Sequence, residues 1–251
     1  MRHPRSLSFL LLVSLGLTLL IATAGPPPTQ AADPFDLASA GQADWTFITV
    51  ASDGDTGEYP ALALDDQGLP HISYYSESTG QLHYSYLNQY GWSHQALDSF
   101  QSFPKEGKYS SLALDASGSP HISFWDETQR TLEYTYRAES GDLAAPDIVA
   151  IGVGETETSL ALDNNGRPLI AYFDSAEGNL KVAFQQENGA WKRETADRSF
   201  GTVGWAPSLA LDSDGYPHIS YYDISNGTLN YVARDANGWQ TPHVVDDAGM
   251  D

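Results

Sequence analysis

Self-similarity constrains this chain more than any other feature of its sequence. Ala61 to Asp65, Ser111 to Asp115, Ser159 to Asp163 and Ser208 to Asp212 all end in Leu-Ala-Leu-Asp. With Leu62, Leu112, Leu160 and Leu209 as markers, the spacings are 50, 48 and 49 residues. Gly68, Gly118, Gly166 and Gly215 each follow the aspartate by three positions, and Pro70, Pro120, Pro168 and Pro217 come two further on. An aromatic-rich run follows each proline: His71 to Tyr75, His121 to Trp125, Leu169 to Phe173 and His218 to Tyr222. A short unit repeated in this way cannot bury both of its faces alone, so copies must stack on one another.

Each unit reads as a four-stranded antiparallel meander, strands A to D in chain order. Asp-x-x-Gly between A and B is hairpin chemistry, with the carboxylate accepting from the turn backbone and glycine supplying positive φ. Proline then opens strand B, where a missing N–H is tolerated. Alternation in strand B places His71, Ser73 and Tyr75 on one face and Ile72 and Tyr74 on the other. Both faces carry bulk, as expected of a sheet held between like neighbours. The predicted fold is all-β, a propeller of four-stranded blades with about 49 residues per repeat. The repeats are expected at 52–98, 99–151, 152–198 and 199–251. A further N-terminal strand, Trp45 to Ala51, matches the strand D segments. Five D-type strands thus stand against four A–B–C sets. Either four blades close a small ring with one strand to spare, or the chain is a truncated piece of a larger ring. An unclosed array would expose edges and invite self-association.

Before the repeats, Met1 to Ser6 carries Arg2 and Arg5, and Leu7 to Ala24 is almost wholly apolar. This is the layout of a secretory signal, with small-residue exits after Ala24 and Ala31. Residues 1–31 are expected to be a cleaved leader rather than an uncleaved anchor, and 32–44 a short linker. The expected location is secreted or cell-surface. The chain has no cysteine, which excludes disulfide scaffolds and thiolate chemistry. A formal charge of −21 opposes nucleic acid and electrostatic docking on anionic membranes.

The pattern Leu-Ala-Leu-Asp-x-x-Gly-x-Pro-His-Ile-Ser-Tyr-Tyr resembles the repeats of secreted bacterial β-propellers, the sialidase-like and lectin-like group. Its Asp-x-x-Gly hairpins are also similar to those of TolB-type and NHL-type propellers. The resemblance covers residues 45–251 and bears on architecture; propellers host many unrelated activities. A sialidase-like enzyme implies an arginine cluster, a Tyr–Glu pair and an acid. The six arginines after residue 31 (Arg130, Arg137, Arg167, Arg193, Arg198 and Arg234) show no clustered logic, and the Ser-x-Asp-x-Gly-x-x-Trp box is missing.

In a meander propeller the D–A and B–C loops share one side. Here B–C loops follow aromatic pairs, which nominates Tyr75, Trp125, Asp126, Asp174, Tyr222 and Asp223 as ligand-binding residues. Aromatic faces beside carboxylates suit sugar rings, which stack their C–H surfaces and donate hydroxyl hydrogen bonds. The D–A loops add Tyr59, Lys105, Tyr109, Glu155, Glu157 and Trp205. An aspartate ahead of a glycine turn also serves simply to organise the hairpin. Asp53, Asp55 and Glu58 offer alternate oxygen ligands, a weak calcium candidate with no distal glutamate. His71, His121 and His218 sit at equivalent positions of separate units, with Leu169 in the third, which suits packing better than metal ligation. The expected function is an exported, non-catalytic recognition or scaffold module that binds a glycan or a surface protein. The alternatives are a glycoside-acting hydrolase of sialidase-like architecture and a structural segment of a larger surface protein.

Overall fold

In each repeat the aspartate of Asp-x-x-Gly closes the first hairpin. Asp65 Oδ1 accepts the backbone N–H groups of Gln67 and Leu69, both at 2.8 Å, and Gly68 takes φ +77°. Asp115, Asp163 and Asp212 repeat the arrangement. The computed structural model describes residues 47–97 and 105–247. The expected leader and linker, residues 1–44, lie outside the described residues.

Four antiparallel sheets follow from the four repeats. The first orders β1 (Thr56–Leu64), β2 (Pro70–Ser76), β3 (Gln81–Asn88) and β4 (Gly91–Ala96). The second orders β5 (Glu106–Leu114), β6 (Pro120–Asp126), β7 (Thr131–Tyr136) and β8 (Asp147–Ile151). The third has β9 (Thr158–Leu162), β10 (Pro168–Asp174), β11 (Asn179–Gln185) and β12 (Trp191–Asp197). The fourth has β13 (Val203–Leu211), β14 (Pro217–Asp223) and β15 (Thr228–Asp235). Its outer strand is split into β16 (Gly238–Trp239) and β17 (His243–Asp246), both paired to β15. Among the described residues there is no helix.

The leading strands β1, β5, β9 and β13 pack on one another in succession. Three apolar clusters join neighbouring sheets. Leu82 and Tyr84 of the first receive Ile122 and Phe124 of the second. Leu132 and Tyr134 of the second receive Ile170 and Tyr172, and Leu180 and Val182 of the third receive Ile219 and Tyr221. This is the stacking the two-faced bulk of strand B requires, and burying such side chains contributes about 2 kcal/mol each. Among the described residues no fourth cluster joins the fourth sheet to the first, and no closed ring is formed. One expectation is corrected here. Trp45 lies outside the described residues, and Phe47 to Ala51 carries no strand. A strand D needs a strand C to pair with, and no described strand pairs with this segment.

The three histidines do not converge. Each belongs to its own sheet, where Nδ1 shares a hydrogen bond with a tyrosine hydroxyl: His71 with Tyr84 at 2.5 Å, His121 with Tyr134 at 2.6 Å, His218 with Tyr231 at 2.5 Å. Nε2 faces the turn aspartate, at 3.7 Å for His71–Asp65 and 3.4 Å for His218–Asp212. The third sheet replaces the whole relay. Leu169 and Val182 stand in for histidine and tyrosine, and Asp163 is held by the Arg167 guanidinium at 2.8 Å instead.

Candidate functional site

The leading strands of the first, second and fourth sheets share a bulge. Register slips between Glu58 and Ala61, between Lys108 and Ser111, and between Trp205 and Ser208. At each bulge one residue adopts left-handed backbone: Tyr59 (φ +50°), Tyr109 (φ +54°) and Ala206 (φ +48°). The bulge turns these side chains out of the alternating pattern, toward the place where the leading strands meet. Two glycines make the geometry feasible. A Cβ on Gly107 would fall 2.6 Å from the Leu82 Cα, and one on Gly204 equally close to the Leu180 Cα.

The third sheet breaks this pattern. Glu155 occupies the glycine position and Glu157 the bulge position. Strand β9 starts only at Thr158, and its pairing with β10 carries no register slip. The Thr156 hydroxyl instead accepts the Phe173 N–H at 3.1 Å. Two carboxylates thereby replace a glycine and a tyrosine beside the aromatic residues of the other sheets.

Together these residues line two adjoining concavities. One, of about 260 Å³, is bordered by Tyr59, Pro60, Tyr109, Glu157, Ala206 and Pro207, so all four sheets contribute. The other, about 20 Å³, lies among Tyr109, Glu155, Glu157, Phe173, Trp205 and Ala206. Tyr59 and Tyr109 pack with ring centroids 4.3 Å apart. The Tyr109 hydroxyl donates to Glu155, and burial together with that carboxylate pushes the Tyr109 phenol up. Burial, then the neighbouring Glu155 charge, raises the Glu157 carboxyl above its ordinary range. Trp205 is largely exposed at the rim. Lys108 binds Glu127 at 2.7 Å and lies 5.4 Å from the Tyr75 ring centre.

The D–A loop residues Tyr59, Tyr109, Glu155, Glu157 and Trp205 form this surface, and the B–C residues nominated for ligand binding sit mostly beneath it. Tyr75 and Trp125 are buried and support the exposed tyrosines, with centroids 6.5 Å from Tyr59 and 6.3 Å from Tyr109 respectively. Asp126 and Asp223 are buried at the B–C turns. Asp126 accepts the Gln129 N–H at 2.8 Å, and Asp223 the Asn226 side-chain amide at 2.8 Å. Asp174 pairs with Lys181 at 2.7 Å. Tyr222 is half-exposed on the fourth sheet. Asp53, Asp55 and Glu58 are exposed, and Asp55 donates its N–H to Ser78 Oγ at 2.6 Å. The loops do share a side: Ser175 and Ser225 of the B–C turns likewise accept backbone N–H groups from Gly154 and Thr202. The sequence signal for the exposed site lies five and three positions before the marker leucine, where Gly-x-Tyr, Gly-x-Tyr and Gly-x-Ala contrast with Glu155-x-Glu157.

Two other features lie apart from this surface. A larger concavity, about 640 Å³, opens between the third and fourth sheets beside Arg167, Leu169, Lys192 and Arg234. Its cations are already paired, Arg167 to Asp163, Lys192 to Glu194 at 2.7 Å and Arg234 to Glu194 at 3.1 Å. Glu106, Asp126 and Glu133 bring carboxylate oxygens within 4.8 Å of one another in the second sheet, all buried. Burial, reinforced by Asp126 and Glu106, pushes the Glu133 carboxyl up to about 7. The equivalent position in the third sheet is Lys181, the ion-pair partner of Asp174.

No protein family and no curated protein matches the chain. Solved structures match at the level of fold. AofleA from Arthrobotrys oligospora, in a mutant with three arginines replaced, gives a TM-score of 0.55 at 14% identity, covering 80% of this chain and 61% of that one. A Hadza microbial sialidase gives 0.54 at 12%, covering 75% and 46%. An ulvan lyase of a new polysaccharide lyase family gives 0.53 at 14%, covering 79% and 60%. The chain therefore spans about half to three-fifths of their lengths. Its neighbours are propeller-type folds.

Proposed function

We propose that this chain is an exported carbohydrate-recognition module of propeller type, which binds a sugar on the surface formed by Tyr59, Tyr109, Glu155, Glu157 and Trp205. The observation that carries the reading is the broken bulge of the third sheet. It places two carboxylates beside a tyrosine pair and an exposed tryptophan, so ring stacking and hydroxyl acceptance occur within one small surface. The structural neighbours include a sialidase and an ulvan lyase, which supports carbohydrate as the ligand class. The adjacent acids and the overall charge of −21 favour a neutral sugar over an acidic one.

The test is glycan-array screening followed by calorimetry on the best neutral ligand. Tyr109→Ala and Glu157→Gln are each expected to weaken binding about tenfold or more, equivalent to about 1.4 kcal/mol. Unchanged affinity in both variants, or no glycan bound at all, rejects the reading. A second reading, glycoside hydrolysis, draws on two carboxyls at one concavity, Glu155 and Glu157, where burial and the Glu155 charge hold the Glu157 carboxyl above its ordinary range. Release of product from a bound glycan, lost in Glu157→Gln while binding persists, would favour hydrolysis over recognition.

A further inference from the structure

Three sheet–sheet contacts in this protein obey one rule, and the first sheet carries the parts of a fourth such contact with no described strand seated on it. At each formed contact the incoming sheet's leading strand brings a buried leucine or its equivalent toward strand C of the sheet before it. Leu112 is 8% exposed and Leu160 7%, and Leu209 is partly buried against its cluster. Leu62, at the same position in the first sheet, is 64% exposed, and Leu64 is 61% exposed. The glycines show the same contrast. Gly107 and Gly204 are pressed against the backbone of Leu82 and Leu180, whereas a Cβ on Gly57 would meet nothing within 4 Å. Gly57 nonetheless holds the same backbone, φ +103° beside +115° and +107°. The outgoing face of the fourth sheet is uncovered at the matching leucine. Leu229 is 43% exposed, while Leu82, Leu132 and Leu180 are fully buried.

One part of the missing neighbour is present. Thr49, Val50 and Ala51 border a concavity of about 220 Å³ with Thr56, Gly57, Ile72 and Tyr74. In the formed contacts the strand B face is covered partly by outer-strand residues of the preceding sheet, such as Val149 and Ala150 in the second or Ala196 in the third. The segment at Thr49–Ala51 holds that place. What is lacking is the A–B–C portion, and above all a strand C leucine over Gly57.

We propose that the first sheet is completed by a further three-stranded meander of the same repeat, with Thr49–Ala51 contributing its fourth strand. The occupant is defined by its chemistry: a leading strand with small residues facing Leu62, as Ala61 and Ala63 face Leu112, and a third strand whose leucine backbone lies on Gly57. A second copy of this chain fits less well. Its fourth sheet brings its own outer strand, β16 and β17, into the place that Thr49–Ala51 already takes.

The test supplies the meander. One or two copies of residues 52–88 are joined after Asp251 of the full chain, and the same segment is added to the unextended chain as a separate polypeptide. Light scattering, thermal melting and hydrogen exchange at Leu62 and Leu64 are read in each case. The expected result is a monomeric extended chain that melts several degrees higher, with Leu62 and Leu64 protected. Leu62→Asp should leave the melting of the unextended chain unchanged and erase that gain. Protection by the separate polypeptide supports the proposal even where the extended chain fails to fold. No gain and no protection in either format overturns it. So does an unextended chain that is a stable dimer with Leu62 and Leu229 already protected.

Discussion

At the scale of single residues, the repeats act as internal controls for one another. Glu133 sits where the third sheet has Lys181 and the fourth has Asn230, each opposite an aromatic residue of strand B. Its folded pKa, about 7, lies above the usual value of about 4.3 for an exposed glutamate. The folded state therefore keeps a proton that the unfolded chain has released. Stability from this group falls as pH rises from about 4.3 to about 7, by an amount on the order of 3 kcal/mol, and then levels off. Glu133→Gln should remove that slope in denaturant titrations across the window. His71 and His121 act in the opposite sense: burial depresses both, against the pull of Asp65 and Asp115. Their contribution is intact above about pH 6.5 and is lost as pH falls below it. The third sheet also suggests a double-mutant test. His71→Leu should cost about 1–3 kcal/mol by stranding the Tyr84 hydroxyl, and adding Tyr84→Val should recover part of the loss, as Leu169 and Val182 coexist naturally. Additive losses in chemical denaturation would show that the two residues do not act as a pair. The lone Leu169 was readable as a packing substitution from the sequence. The hydroxyl that each histidine meets was not, because Tyr84, Tyr134 and Tyr231 lie on the neighbouring strand, thirteen residues further along the chain.

At the scale of elements, the meander was legible because turn chemistry and alternation point to the same structure. Asp-x-x-Gly-x-Pro fixes the first hairpin, and Leu-Ala-Leu declares which face of strand A is bulky. The bulge in β1, β5 and β13 was not legible. Nothing in local propensity calls for left-handed backbone at a tyrosine, and it is held there by the strand beside it and the sheet before it. Gly107 shows the tertiary part of that demand. Gly107→Ala should destabilise by about 3 kcal/mol or more, since strain at positive φ adds to a clash with Leu82. Gly57→Ala bears only the strain and should cost about 1 kcal/mol. Equal losses in the two variants, measured by urea titration, would contradict the contrast. The candidate site divides the same way. Its residues stood out in the D–A loops and in the aromatic pairs, but their meeting on one surface depends on which side chain each bulge turns toward its neighbours.

At the scale of the whole molecule, the number of sheets was readable from the repeat count, and the pairing of strands with their sequence neighbours followed, save that β17 pairs with β15. Whether the sheets meet end to end was not, because closure depends on the small rotation between successive sheets rather than on any residue type. Charge is likewise a property of the whole. With −21 overall and Glu155 and Glu157 at the candidate surface, an anionic sugar meets repulsion that a neutral one does not. Calorimetry should show any acidic oligosaccharide binding more weakly than its neutral counterpart. That deficit should shrink as ionic strength rises from about 0.01 M to about 0.15 M and the Debye length contracts from about 30 Å to about 8 Å. A preference for acidic sugars at low salt would contradict the electrostatic picture.

Positions 59, 109, 157 and 206 hold Tyr, Tyr, Glu and Ala, each presented to one shared surface by a different sheet. None of the four is fully buried, so each can change with little disturbance to the clusters that hold the sheets together. They amount to a four-letter word written on a constant page. A gene that duplicates its repeats copies the page automatically and can then respell the word one letter at a time. Selection for a new ligand in such a protein has short paths to follow, and Ala206, the smallest letter, is the one with the most room to grow.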